Sequence, residues 1–363
     1  MNRLICLVLL WIWSALAAGA QSGVFVQLTD THLGKPAPYE TPEKMERHLT
    51  NLRRIIEEIN TVIRPDFVLV TGDTVSTTDE PSVRLVAETM RSLRVPYYLL
   101  PGNHDDGSVR EGWFEKYLGP IRRTIEHGPW RIVGFDGRTL IRNEGPEETF
   151  AWLDAELSKP RGARQALIVA SHYPLHIPDR WENSGQGRNR FQYTGAHALR
   201  LSSLLFNARV TGYIAGHTHG SYAVEDDLTG IPCFVSGAAQ NGEYRVYSWE
   251  DGVLASVAAQ AGKWPKVLVS VPGGRLPGGS AFTAGEIRIR ARVFAPTPPE
   301  TVEWICDEGT PVAMTRGTDG VWEARWNSTE VRNGKHLLTV RVKAGEETRS
   351  AEVAVAVSNR GGK

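Results

Sequence analysis

Between Val24 and about Ala208, short apolar runs alternate with stretches whose apolar residues recur every third or fourth position. The runs Val24–Thr29, Phe67–Thr71, Tyr97–Leu100, Arg131–Phe135, Ala166–Ser171 and Val210–Ala215 are rich in Val, Ile and Leu. Such continuous runs predict strands covered on both faces. Between the first two, Met45, Leu49, Leu52, Ile56 and Ile59 are spaced by four, three, four and three residues, one buried stripe of a helix. Thr41 and Pro42 supply its N-cap and first turn. Val83, Val86, Met90 and Leu93 repeat the stripe after Pro81, and Phe150, Leu153 and Leu157 repeat it after Glu147. Strand–helix alternation of this kind predicts a layered α/β domain.

Beyond Ala208 the helical spacing fades. Cys233–Ser236, Tyr244–Trp249 and Val267–Val271 read as strands joined directly, a second sheet completing the same core. A Pro/Gly-rich break follows, Pro272 to Gly279. Ile287–Val293, Thr301–Ile305, Trp322–Trp326, His336–Val342 and Ala351–Val357 then alternate polar and apolar residues between turn signals. That pattern predicts an antiparallel sandwich of about 80 residues, with Trp304, Trp322 and Trp326 filling its core. The resulting division is a leader over 1–22, a catalytic unit over 23–272, a linker over 273–280 and a β-sandwich over 281–363.

The leader rests on composition. Asn2-Arg3 precedes an apolar run from Leu4 to Ala18, and Ala15, Ala17, Ala18 and Ala20 are small residues suited to cleavage near Gln21. The expected location is therefore secreted or periplasmic, with no stable membrane span after cleavage. The run is shorter than the roughly 20 residues a span needs. Cys233 and Cys306 remain in the mature chain, too few for a disulfide framework, and both read as buried small apolar residues. The net formal charge is zero and no long basic run occurs, so nucleic-acid binding is not expected.

Five segments each directly follow a predicted strand: Asp30-Thr31-His32, Gly72-Asp73, Gly102-Asn103-His104-Asp105, Ser171-His172 and Gly216-His217-Thr218-His219. They hold half of the 10 histidines. Singly, each is weak: a Gly-Asn-His-Asp passes for a turn, and an isolated histidine for a satisfied core residue. Together they deliver imidazole, carboxylate and amide oxygen to the carboxyl ends of parallel strands, where ligands of open α/β sheets collect. Asp30 and His32 are expected to point the same way by strand alternation, as are His217 and His219. A cysteine-free donor set suits Fe, Mn or Zn better than a closed structural zinc site. Two cations about 3.5–4 Å apart need a shared carboxylate, and Asp73 is the natural bridge because no other ligand type accompanies it.

In this order the segments resemble the signature of the calcineurin-like metallophosphoesterases, over about residues 23–270. The resemblance implies a two-sheet sandwich flanked by helices. It implies one metal held by Asp30, His32, Asp73 and His219, and a second by Asp73, Asn103, His172 and His217. His104 would contact the phosphate and leaving group without ligating, and Asp105 would orient its imidazole. The implied chemistry is in-line attack on phosphorus by a metal-bridging hydroxide. Purple acid phosphatases differ in having Asp-x-Gly first and a tyrosine three residues after the bridging aspartate. Here those positions are His32 and Ser76, so the chain is closer to the phosphodiesterase-type members.

The expected substrate is a phosphodiester of a small molecule, lipid or nucleotide. The segment from Leu175 to Tyr193 carries His176, Arg180, Trp181, Arg188 and Arg190, and His176, Arg188 and Arg190 are its candidate phosphate contacts. Two other readings stay open: a phosphomonoesterase such as a nucleotidase, and an exported interaction protein on an inactive scaffold. The complete ligand set argues against the last. The C-terminal sandwich resembles immunoglobulin-like or fibronectin-like modules in pattern only.

Overall fold

The computed structural model describes residues 22–162, 164–177, 190–191, 193, 195–226, 228–250, 252–273 and 281–359. The expected leader up to residue 21, the linker over 274–280, and Arg180, Trp181 and Arg188 lie outside the described residues.

Two mixed sheets face each other. The first runs Val253–Gln260, Glu243–Glu250, Gly23–Leu28, Phe67–Thr71, Tyr97–Leu100, with the last three strands parallel. The second runs Tyr222–Glu225, Pro232–Val235, Gly212–Ala215, Ala166–Ala170, Trp130–Gly134, Arg123–His127, with antiparallel edges around a parallel centre. This is the expected mixed α/β sandwich.

Strand alternation explains why the runs are apolar throughout. Phe25, Phe67 and Leu69 point between the sheets, against Trp130, Ile132, Ile168, Ile214, Phe234 and Tyr247. Val24, Val26, Val68 and Val70 point outward, against Leu52, Ile55 and Ile56 of the helix Pro42–Glu58 and Val83 and Val86 of the helix Glu80–Met90. The helices Pro146–Leu157 and Gly195–Asn207 cover the second sheet through Phe150, Leu153, Leu201 and Leu205. Each such side chain contributes about 1.5–3 kcal/mol by leaving water. Buried polar side chains also cross between the sheets, Gln27 and Arg245 among them. Gln27 Nε2 donates to Thr71 Oγ1 (2.8 Å) and the Ala215 carbonyl (2.7 Å), while its Oε1 accepts from Tyr247 Oη (2.7 Å). All its polar atoms are satisfied, so it holds the ends of three strands at fixed spacing.

The strand Lys266–Val271 corrects the expected division. It does not extend the first core; it pairs antiparallel with Glu286–Phe294. Val267 and Val269 lie in the second core with Ile289, Trp304, Trp326, Leu338 and Val355. The polypeptide therefore enters the C-terminal sandwich before the Pro/Gly break. Sequence proximity to Glu243–Glu250 suggested a shared sheet, but packing of the valines decides the partner. The two C-terminal sheets run Lys266–Val271, Glu286–Phe294, Trp322–Asn327, Thr315–Arg316 and Ala281–Thr283, Glu347–Val357, Gly334–Ala344, Thr301–Cys306, Val312–Ala313. Trp304 and Trp326 fill the core as expected, and Trp322 packs against it partly buried.

Charge joins the two units. Glu250, fully buried at the end of its strand, accepts from Arg290 (2.9 Å) and Arg292 (2.5 Å) of the sandwich. Among the described residues, no helix is long and apolar enough to cross a membrane.

Candidate metal centre

The site forms where strand alternation stops. Asp30 and His32 lie past the strand Gly23–Leu28, and both have left-handed backbone, φ 52° and 43°. Asp73 (51°), His217 (73°) and His219 (58°) share it. Side chains two apart thus converge because the backbone turns, not because a strand continues, which corrects the expected period-two device. A left-handed non-glycine residue costs roughly 1–3 kcal/mol, and such residues cluster at functional sites. Five of the nine described here belong to this one. Gly72 (φ 99°) is held to glycine for a further reason: a Cβ there would sit 2.7 Å from His172 Nδ1 and 2.8 Å from the Gly102 nitrogen.

Two side-chain clusters result. In one, His219 Nε2 lies 3.2 Å from Asp30 Oδ1, and His32 Nε2 lies 3.7 Å from the same oxygen and 3.3 Å from His219 Nε2. In the other, His172 Nε2 lies 3.2 Å from each of Asp73 Oδ2, Asn103 Oδ1 and His217 Nδ1. Asp73 Oδ2 is also 3.8 Å from His32 Nε2, so that carboxylate stands between the clusters. All seven expected ligands are brought together.

The donors fit cations. His172 Nδ1–H donates to the Thr71 carbonyl (2.8 Å), which turns the Nε2 lone pair toward three other electron-rich atoms. Asp30 Oδ2 accepts from Thr29 Oγ1 (2.7 Å) and the His217 amide (3.0 Å), while its buried Oδ1 has no hydrogen-bond donor. Crowded acceptors without protons to share are what a positive ion resolves. Protons show the same field. Burial alone would raise the Asp30 pKa and lower that of His172. The imidazoles of His219 and His32 beside it instead hold Asp30 well below the usual carboxylate range, and the Asp73 charge lifts His172 to about 9. Burial and the adjacent His172 push His217 down to about 4.

His104 borders both clusters, with a ring nitrogen within 4.8 Å of donor atoms of His32 and Asp73. Its Nδ1 faces the Ser76 carbonyl at 2.8 Å, and its ring meets His32 edge-on with centroids 4.6 Å apart. Asp105 was expected to orient this imidazole. Its fully buried carboxylate instead accepts from the Thr74 amide (3.1 Å) and the Gly102 amide (2.8 Å), tying the Asp73 loop to the Asn103 loop. The fold gives the ring-orienting task to a backbone carbonyl, which sequence cannot display.

Other supporting groups were also missed. Gln240 faces His219 Nδ1 at 3.2 Å, and His48 Nδ1 faces the His32 carbonyl at 2.9 Å. Gln240 follows the strand Pro232–Val235, so the strand-end rule that located the ligands would have reached it. His176 and Arg190 fall on a two-stranded ribbon, His176–Ile177 paired with Arg190–Phe191. The 750 Å³ cavity lined by Leu205, Phe206, Val210, Ile231 and Leu254 lies at the opposite end of the second sheet and takes no part in the site.

Residues 23–221 match calcineurin-like phosphoesterase. The chain belongs to that family. Calcineurin-like phosphoesterases are metal-dependent phosphoric ester hydrolases that use divalent ions, and the two clusters can hold them. The chain is 30% identical over 161 residues to the probable glycerophosphodiester phosphodiesterase GpdQ of Arcobacter nitrofigilis, covering 42% of this chain and 58% of that protein. It is 26% identical over 181 residues to the 3',5'-cyclic adenosine monophosphate phosphodiesterase CpdA of Escherichia coli K12, covering 47% and 63%. The chain thus spans less than two thirds of the length of these relatives. Among solved structures, the Plasmodium inner-membrane-complex anchor GAP50 aligns with TM-score 0.50 at 14% identity, over 67% of this chain and 85% of that one, a likeness of fold alone.

Proposed function

We propose that the protein is an exported phosphodiesterase that hydrolyses a small phosphodiester at a dinuclear centre. The carrying observation is Asp73 Oδ2, placed 3.2 Å from His172 Nε2 and 3.8 Å from His32 Nε2, where one carboxylate serves both clusters. Asp30, His32, Asp73 and His219 would hold one ion, and Asp73, Asn103, His172 and His217 the other. The ions, of the Fe, Mn or Zn type, would activate water as the nucleophile and neutralise phosphoryl oxygens. His104 does the rest. With Nδ1–H donated to the Ser76 carbonyl, Nε2 is the nitrogen left to face the leaving alkoxide, and a proton carried there by the imidazolium would make the ring its general acid. Similarity to phosphodiesterases named for glycerophosphodiesters and cyclic nucleotides favours a diester.

His104→Ala should lower turnover of bis-p-nitrophenyl phosphate about 10²–10⁴-fold with metal content retained. Loss of both ions in that variant would overturn the assignment. A preference for p-nitrophenyl phosphate in Mn²⁺ would instead establish a monoesterase. Export is proposed from the leader, and the amino terminus of protein recovered outside the cytoplasm should lie near Gln21.

A further inference from the structure

A second group of metal-binding side chains lies in the C-terminal sandwich, on strands that contribute nothing to the phosphoesterase centre. Cys306 ends the strand Thr301–Cys306, and Leu338 of Gly334–Ala344 stands directly opposite it. His336, two residues from Leu338, shares its face of the sheet. Asp307 then leaves the strand with left-handed backbone, φ 51°, and its amide donates to the Leu337 carbonyl at 2.8 Å. Its carboxylate is thereby turned back over the two neighbours.

The contacts are those of three donors facing one point. Asp307 Oδ2 lies 2.7 Å from His336 Nδ1 and 3.8 Å from Cys306 Sγ, and the three ligand atoms all fall within 4.8 Å of one another. Asp307 Oδ1 is engaged separately by the Leu337 amide at 2.9 Å, leaving Oδ2 for the cluster. An independent observation fixes the histidine. His336 Nε2–H donates to the Arg332 carbonyl at 2.8 Å and Nδ1–H to Asp307 Oδ2, so the far nitrogen is anchored by backbone and Nδ1 is the one freed to ligate once an ion displaces its proton. A backbone carbonyl on the far nitrogen is the usual support of a ligating imidazole.

We propose that Cys306, Asp307 and His336 form a mononuclear site for Zn²⁺ or a similar borderline transition ion, with solvent completing the tetrahedron. Bond lengths of a tetrahedral zinc site imply ligand separations of about 3.3 Å between N and O and about 3.5 Å between S and O. The existing separations straddle those values, so small rotations of His336 and Cys306 admit the ion. The Cys306 thiol and His336 Nδ1 lose their protons to solvent when the ion enters. In the metal-free site burial and the Asp307 charge push that thiol up to about 11, so it enters protonated and binding tightens as pH rises. Cys306, expected as a buried apolar residue, is instead half-exposed at the rim of its core.

Co²⁺ titration of the full chain tests this directly, because none of the phosphoesterase ligands is a cysteine. A near-ultraviolet thiolate-to-cobalt absorption should saturate at one equivalent per chain and vanish in Cys306→Ser. Zinc bound per chain should fall by one equivalent in Cys306→Ser, with phosphoesterase activity unchanged. His336→Gln should weaken Co²⁺ binding at this site about 10-fold or more while the thiolate band stays attainable at high metal. Absence of the band in the unmodified protein, or unchanged zinc content in Cys306→Ser, would overturn the site whatever the phosphoesterase reading proves to be.

Discussion

His219 is the most exposed of the expected ligands, so its direction depends on one neighbour more than on packing. Gln240 supplies that neighbour. Gln240 Nε2 lies 3.2 Å from His219 Nδ1 while its buried Oε1 is unpaired; with the amide turned end for end, Oε1 accepts Nδ1–H and the His219 Nε2 lone pair points at Asp30 and His32. Removing such a support commonly costs 10–100-fold in metal affinity. Gln240→Ala should therefore weaken metal binding by about that factor in chelator competition, while chelated protein melts as before. Gln240→Glu, whose carboxylate accepts the same proton, should restore affinity. A melting shift without an affinity change would make Gln240 structural only. The ligand residues themselves were visible in sequence because imidazoles and carboxylates at strand ends are conspicuous. Gln240 was missed although it follows a strand end, and the Ser76 carbonyl and the true partners of Asp105 were not visible, since main-chain atoms carry no mark of their use.

The elements were readable in proportion to their burial. Phe67–Thr71 and Tyr97–Leu100 were located to the residue, because strands covered on both faces must be apolar throughout. Val253–Gln260, Tyr222–Glu225 and Arg123–His127 were not found. Each is a sheet edge, and their polar or alanine-rich sequences have little apolar signal. Phe25 shows what the buried strands do for the site. Its ring stacks on Phe67 (5.1 Å between centroids) and Tyr247 (4.5 Å) and meets Trp130 edge-on (4.7 Å), in the same strand that delivers Asp30. Phe25→Ala should cost about 3–5 kcal/mol of stability in denaturant unfolding. Metal affinity at permissive temperature should change far less, since Gln27 still ties the strand ends together. An equal loss of both would show that the two sheets are positioned by the aromatic layer alone.

At the scale of the whole molecule, the two units meet through buried charges rather than an apolar seam alone. Glu250 lies between Arg290 and Arg292, and Lys266, at the entry to the sandwich, reaches back to Glu58 (3.4 Å) at the end of the first helix. The Lys266 ammonium lies 3.4 Å from the centroid of the Trp264 ring, and its side chain is 4% exposed. Burial lowers its pKa to about 8, with Glu58 opposing the shift. The sign follows from proton binding: the unfolded chain holds this proton more tightly than the folded one. Lys266 therefore costs stability below pH 8, and the cost fades as pH rises from about 8 toward the ordinary lysine value of 10.5. Other groups titrate in that window, so the informative quantity is the difference between the natural protein and Lys266→Met, which keeps the stem but not the charge. That difference in unfolding free energy should move in favour of the natural protein by up to about 3 kcal/mol across the window. Parallel pH profiles for the two proteins would show that Lys266 keeps a solvated, ordinary pKa and that its burial contributes nothing to how the units are joined.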